Sequence, residues 1–148
     1  MSARDLESAF NNLKRSNYKI ASEQTKLYNC IAFAAGETLR WWWPIGIGAY
    51  WPEPAPRHET IESFIAAFGI LGYVPCDDGA LESGFEKVAI YAKDGIPKHM
   101  ARQLASGVWV SKCGRLEDIE HETLEALYGF DKYGYGQAVQ FLKRSIKK

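Results

Sequence analysis

The sequence lacks three features that would each have pointed to a function class at once. The first is a charge surplus: eighteen basic side chains stand against eighteen acidic ones. A nucleic-acid binder carries a basic excess to meet phosphates, so no nucleic-acid partner is expected. The basic tail Lys143, Arg144, Lys147 and Lys148 reads as a solvated helix end, where cations suit the dipole. The second is a long apolar run. No segment approaches the roughly 18–20 residues of a membrane span. The N-terminal stretch carries Arg4, Asp5, Glu7 and Lys14 in place of an apolar signal core. Cytoplasmic localisation is the expectation, with export by a specialised secretion machine left open. The third is cysteine: Cys30, Cys76 and Cys113 are odd in number and form no CxxC pair. That spacing supports neither a disulfide framework nor a structural zinc site. Cys113 and His121 lack partners at ligand spacing, so no metal and no cofactor is expected.

What is present is enough for one folded domain spanning 1–148, since 47% of the 148 residues are hydrophobic and 14% aromatic. Leu6, Phe10 and Leu13 predict an amphipathic helix from Ala3 to Leu13, and Arg15 to Leu27 reads as irregular. Ile31, Ala34, Ala35 and Leu39 predict a helix from about Asn29 to Arg40. Pro44, Gly46, Gly48, Pro52, Pro54 and Pro56 make the following aromatic stretch a loop. Ile61, Phe64, Ile65, Phe68 and Leu71 form a helical stripe.

The period then changes to two. Strands are predicted at about 86–92, 98–104 and 108–112, joined by turns at Asp94-Gly95 and Ser106-Gly107. Helices are predicted again over Glu117–Leu127 and Gln137–Ile146. The fold class that follows is α+β: N-terminal helices packed on a small antiparallel sheet, with C-terminal helices.

Cys30 opens the predicted helix at Asn29. A helix start presents unpaired N–H groups and the positive end of the dipole, both of which favour thiolate over thiol. Of the three histidines, His58 precedes the Ile61 helix in an exposed Pro/Arg context, and His121 falls among acids on a predicted surface helix. His99 instead begins a strand. A two-residue Asp94-Gly95 turn would set it opposite Ile90, on the face of Val88, Ile90 and Ala92 that looks toward the helices.

A cysteine at a helix start, followed about 70 residues later by a histidine on an antiparallel strand, resembles the papain-like cysteine peptidase superfamily, which includes the smaller NlpC/P60-type amidases. Gln24 precedes Cys30 by six residues, the offset at which papain carries its oxyanion-hole glutamine. The segments "YNCIAFAAGETLRWWWP", "HMARQLASGVWVSKCG" and "YGYG" resemble a group of uncharacterised bacterial domains placed with that superfamily. The chain departs from the pattern in three places. Ile31 stands where papain has tryptophan, Asn29-Cys30 where NlpC/P60 enzymes have Asp-Cys, and no Asn or Asp follows His99 on the next strand. The group orienting His99 depends on register. A two-residue Ser106-Gly107 turn puts Lys112 on its face. A three-residue turn puts Ser111 there, and Ser111 is the lead candidate because lysine offers only donors. Asp118 and His121, slightly later in the chain, are further candidates.

The resemblance implies a papain-like fold and a thiol-dependent hydrolase or acyltransferase acting on a peptide or protein. Its setting would be a bacterial toxin, an effector or an intracellular peptidase, with an immunity or regulatory protein as a further partner. His99 would take the Cys30 proton, the thiolate would form a thioester, and the Cys30 N–H with Gln24 would hold the oxyanion. Trp41, Trp42 and Trp43 would line a substrate groove; packing in core and loop is the simpler expectation for them. The alternative function is a non-catalytic domain of the same fold that binds another protein through this aromatic loop, with Cys30 as a packing residue.

Overall fold

A computed structural model describes residues 10, 12–13, 18–22, 27–113, 118–130 and 134–146. Seven strands form one antiparallel sheet: β1 (Tyr18–Ser22), β2 (Val74–Cys76), β3 (Phe85–Lys93), β4 (Ile96–Gln103), β5 (Trp109–Lys112), β6 (Asp118–His121) and β7 (Gln137–Ser145). Their order across the sheet is β1-β6-β5-β4-β3-β7-β2. Against it, the described residues hold two short α-helices, α1 (Cys30–Ala34) and α2 (Ile61–Ile70), and a 3-10 turn at Leu124–Leu127.

The papain-like α+β expectation is therefore overturned: the fold is β-rich. The three predicted strands and the Ile61 helix are present. The two C-terminal helices are not, because Gln137–Ser145 is a strand paired to both β3 and β2, and Asp118–His121 is a strand paired to β5 and β1. Tyr18–Ser22, read as irregular, is the partner of β6. Most of the predicted N-terminal helix lies outside the described residues.

The predicted helix from Asn29 to Arg40 shrinks to five residues. Asn29 explains why. Its Oδ1 accepts from Ala32 N–H at 3.2 Å, capping the helix, and also from Trp42 N–H at 3.0 Å. Its Nδ2 donates to the Trp42 carbonyl at 2.6 Å. A continuous helix at 1.5 Å per residue would carry residue 42 about 20 Å away. The chain instead turns at Ala35-Gly36 and returns Trp42 to the cap.

The α2 helix follows its sequence signals closely. Thr60 caps it by accepting from Ser63 N–H at 3.2 Å, Glu62 lies in its first turn, and Phe64, Ala67 and Phe68 are buried. Phe64 and Phe68 pack with α1, Trp42 and Trp51 on Val88, Ile90, Met100 and Leu142 of the sheet. Burying one such side chain stabilises by roughly 1.5–3 kcal/mol. The opposite sheet face carries Ala89, Tyr91, Ala101, Trp109, Cys113 and Ile119 under Phe10, Leu13, Ala126 and Leu127.

The β3–β4 hairpin sets which residues look to which face. Asp94 and Gly95 form the expected two-residue turn, with φ of 54° and 80°. Lys93 pairs with Ile96 and Ala92 with Pro97, but Tyr91 pairs with His99. Lys98 is thus an extra residue, a β-bulge that reverses the facing of everything after it. A second bulge lies on the other side of β3, where Ile90 pairs with Gln140 and Tyr91 with Ala138, leaving Val139 out.

Gly136 closes the approach to that second bulge. It bridges to Gly129 and has φ +77°, and a Cβ there would meet the Ala92 carbonyl oxygen at 1.9 Å. Gly136→Ala should lower unfolding free energy by about 2–4 kcal/mol, since both backbone strain and a backbone clash apply. Gly84→Ala, also at positive φ but facing open space, should cost about 1 kcal/mol. Urea midpoints of the two variants, which should differ in that order, check this.

Candidate functional site

Cys30 sits at the first position of α1, 7% exposed, on the sheet face that holds Met100. The Met100 amide and the charge of Lys112 both favour its thiolate, but burial outweighs them and pushes the thiol up to about 11. Beside it lies a buried polar group whose members the sequence reading weighed only as partners of His99. Lys112 and Asp118 pair directly across β5 and β6 and are both buried. The Tyr28 hydroxyl donates to Asp118 Oδ2, and the Lys112 ammonium lies 5.7 Å from the centre of the Tyr28 ring. The signal for this group was alternation in "SKCG" and "EDIEH", hidden because the second segment reads as helix.

His99 does not join that group. The expectation placed it opposite Ile90, on the helix-bearing face; the Lys98 bulge sets it opposite Tyr91 instead. Its ring stacks on Tyr135 at 4.1 Å and 3° and meets Tyr91 edge-on at 5.0 Å, on the other side of the sheet. Both ring nitrogens are buried without a hydrogen-bond partner among the described residues, so no hydrogen bond links His99 to Cys30. Burial first, and the charge of His121 second, hold its imidazole well below the ordinary histidine range. The ring is neutral at physiological pH.

Ser111 was expected to orient His99. It bonds His121 instead, Oγ to Nε2 at 2.8 Å. The direction follows from the other nitrogen. Nδ1 lies 2.8 Å from the Thr123 carbonyl, which can only accept, so Nδ1 carries the proton and the Ser111 hydroxyl donates to Nε2. His121, expected on a surface helix, is fully buried on β6, and burial lowers its pKa to about 4. His58 is exposed, as its context implied. Gln24, the expected oxyanion donor, lies outside the described residues. No group of three His, Cys, Asp or Glu among the described residues could hold a metal ion.

The tryptophan run divides. Trp42 is 4% exposed and packs on Tyr50 and Phe68, so it is core and lines no open groove. Trp43 is half-buried edge-on against Phe64, with its indole N–H donating to Glu59 at 2.7 Å. Trp41 is half-exposed. Backbone bonds from Trp43 N–H to the Tyr50 carbonyl (3.1 Å) and from Tyr50 N–H to the Trp41 carbonyl (2.9 Å) close the loop between them. Within it Ile47 is fully exposed and Ile45 is exposed, as is Leu39 just before its base.

Residues 19–143 match a family described as a domain of unknown function, DUF7689, and the chain belongs to that family. No curated protein and no solved structure matches the chain. Among the described residues no helix is long and apolar enough to cross a membrane.

The two buried histidines make stability depend on pH. Each has a folded-state pKa below its unfolded value, so the unfolded chain binds more protons as acid is added. The share of stability that depends on these neutral imidazoles is present above pH 6.5 and falls as pH drops toward 4, with His121 alone accounting for about 3 kcal/mol across that window. Urea midpoints between pH 7.5 and 5 should fall steadily. His99→Phe, which fills the same space between two tyrosines, should flatten that fall.

Proposed function

We propose that this DUF7689 chain is a non-catalytic protein-binding domain whose loop 39–51 docks on another protein. One observation carries the reading: a fully exposed isoleucine, Ile47, stands with Ile45 and Leu39 on a loop whose base is tightly held. Exposed apolar tips of this kind are costly in water and useful at interfaces. The base is fixed by the Asn29 bonds to Trp42, by Trp51 packed 5.1 Å from Phe64, and by the Arg40 guanidinium 3.7 Å above the Tyr50 ring. Arg40 is itself held by Glu37 through bonds of 2.6–3.1 Å. A loop ordered before binding loses little entropy on binding.

The second reading is a thiol-dependent hydrolase or acyltransferase acting through Cys30. It is favoured by the Met100 amide and the Lys112 charge, which both stabilise a thiolate. Two facts weigh against it: burial keeps the thiol protonated, and His99 shares no bond with it.

Two experiments separate the readings. Ile47 replaced by a photo-crosslinking residue, in cells producing the chain, should yield one discrete adduct. Ile45→Asp should abolish the adduct, and Leu81→Asp, at an exposed leucine elsewhere, should leave it intact. No adduct, or equal loss in both variants, would sink the docking reading. Iodoacetamide near pH 7 should modify the half-exposed Cys76 first, and the buried Cys30 and Cys113 only at the rate of unfolding. Faster labelling of Cys30 than of Cys76 would establish an activated thiol and shift the balance to the second reading.

A further inference from the structure

The sheet face opposite α2 brings a thiol and two ammonium groups to one place. Lys87 of β3 pairs with Lys143 of β7, which pairs with Val74 of β2. Side chains two apart on a strand share a face, so Cys76 stands on the same face as both lysines. The chain after Cys76 then crosses that face. Gly79 is held there by Gln103 Nε2, which donates to its carbonyl at 2.8 Å. It packs so closely that a Cβ would meet Phe141 at 2.8 Å and Trp109 at 2.9 Å. Beside this segment opens a cavity of about 310 Å³, lined by Cys76, Asp78, Glu82, Lys87 and Lys143 among others.

One oxygen atom holds the thiol and the deeper ammonium together. The Cys76 Sγ donates to the Asp78 carbonyl at 3.5 Å, and the Lys87 Nζ donates to the same oxygen at 3.1 Å. Lys87 is 2% exposed, and its charge is met by Asp78 Oδ1 and Glu82 Oε1, each at 3.3 Å. Burial works against that charge, but the bonds to Asp78 and Glu82 prevail and raise the Lys87 pKa. Burial also raises the Cys76 thiol, against the charge of Lys87. Lys143 bonds Glu82 at 2.9 Å and, among the described residues, shares no acceptor with Cys76. Cys76 is half-exposed, whereas Cys30 and Cys113 are buried, so it is the cysteine that a dissolved oxidant reaches first. The pair thus combines an accessible sulfur, an amine fixed beside it, and carboxylates in contact with that amine.

We propose that Cys76 and Lys87 form a covalent sulfur–nitrogen cross-link when the chain meets a peroxide. The peroxide first transfers one oxygen to Cys76: its O–O bond breaks, the sulfur is oxidised to a sulfenic acid, and water leaves. Lys87 passes its ammonium proton to the Asp78 or Glu82 carboxylate that touches it. The amine lone pair then attacks the sulfenic sulfur. The S–N bond forms, the S–O bond breaks, and hydroxide departs as water with a second proton from the amine. No further oxidant is consumed. The link spans β2 and β3 over β7 and closes the segment that covers Phe141 and Trp109. A thiol reductant reverses it by returning the free thiol and the free amine.

The full chain treated with hydrogen peroxide, quenched with iodoacetamide and digested with trypsin tests this. Between Arg57 and Lys93 the sequence offers trypsin one internal site, Lys87. The expected product is the peptide His58–Lys93, uncut at Lys87, not alkylated at Cys76 and lighter by about 2 Da for the two hydrogens lost. Dithiothreitol should restore both the cleavage and the alkylation. A disulfide from Cys76 to another cysteine would leave Lys87 open to trypsin, so the wild-type digest decides without any variant. Lys87→Arg keeps the charge and should lose the link, while dimedone still traps the Cys76 sulfenic acid. Lys143→Arg should keep the link. Circular dichroism and urea midpoints confirm that both variants are folded before they are oxidised. Oxidation of Cys76 with Lys87 still fully cut overturns the proposal, as does a link from Cys76 to Lys143.

Discussion

One extra residue in β4 decides how the chemistry of this protein is distributed. Side chains alternate across a sheet with period two, so an inserted residue moves every later side chain to the other face. Lys98 is that residue, and it is exposed, as the unpaired member of a bulge can be. Because of it, Met100 looks toward α1 and Cys30, while His99 looks toward Tyr91 and Tyr135. The bulge at Val139 falls at the same level of β3 on its other edge. The centre of the sheet is thus irregular on both sides of Tyr91, the fully buried ring around which the second core is built.

The polar residues of the interior separate into two groups as a result. On the helix-bearing face Cys30 neighbours Lys112, Asp118 and Tyr28. On the other, His121 is satisfied by Ser111 and Thr123, and among the described residues His99 is held by ring contacts with Tyr91 and Tyr135. Desolvation is the largest influence in both groups, against the Met100 amide and the Lys112 charge at Cys30 and together with the charge of His121 at His99. It keeps the Cys30 thiol protonated and both imidazoles neutral. A thiolate–imidazolium pair needs the opposite balance, with the charged forms stabilised by each other or by solvent.

The aromatic stretch gains its order from a single polar side chain. Asn29 caps α1 and grips both backbone groups of Trp42, so the start of the helix and the base of the loop are one unit. That leaves Trp42 and Trp51 as core and turns Ile45 and Ile47 outward. The run of three tryptophans suggested a groove wall. Its members have different roles because neighbouring residues on an irregular chain point in different directions, and only tertiary contacts choose among them.

The sequence by itself determined the elements whose signals are local. The Ile61 helix has its cap and its apolar stripe, the Asp94-Gly95 turn has its two positive-φ residues, and the strands around 86–92 and 98–104 flank that turn. Even charge balance and the aromatic loop were legible. The segments around 118–121 and 137–145 were misread because their apolar spacing fits a helix as well as a strand. Leu124 and Leu127 extend the helical pattern of one, and the Val139 bulge breaks the alternation of the other. Only the tertiary structure decided them, since β7 pairs with two strands distant in the chain, β3 and β2, and β6 is held between its chain neighbour β5 and the distant β1. The same holds for the candidate site. The types of Cys30, His99, Ser111 and His121 were visible, but their partners depended on a one-residue register shift. A register shift leaves no local mark, because its energy lies in long-range pairing and not in the residue that is inserted.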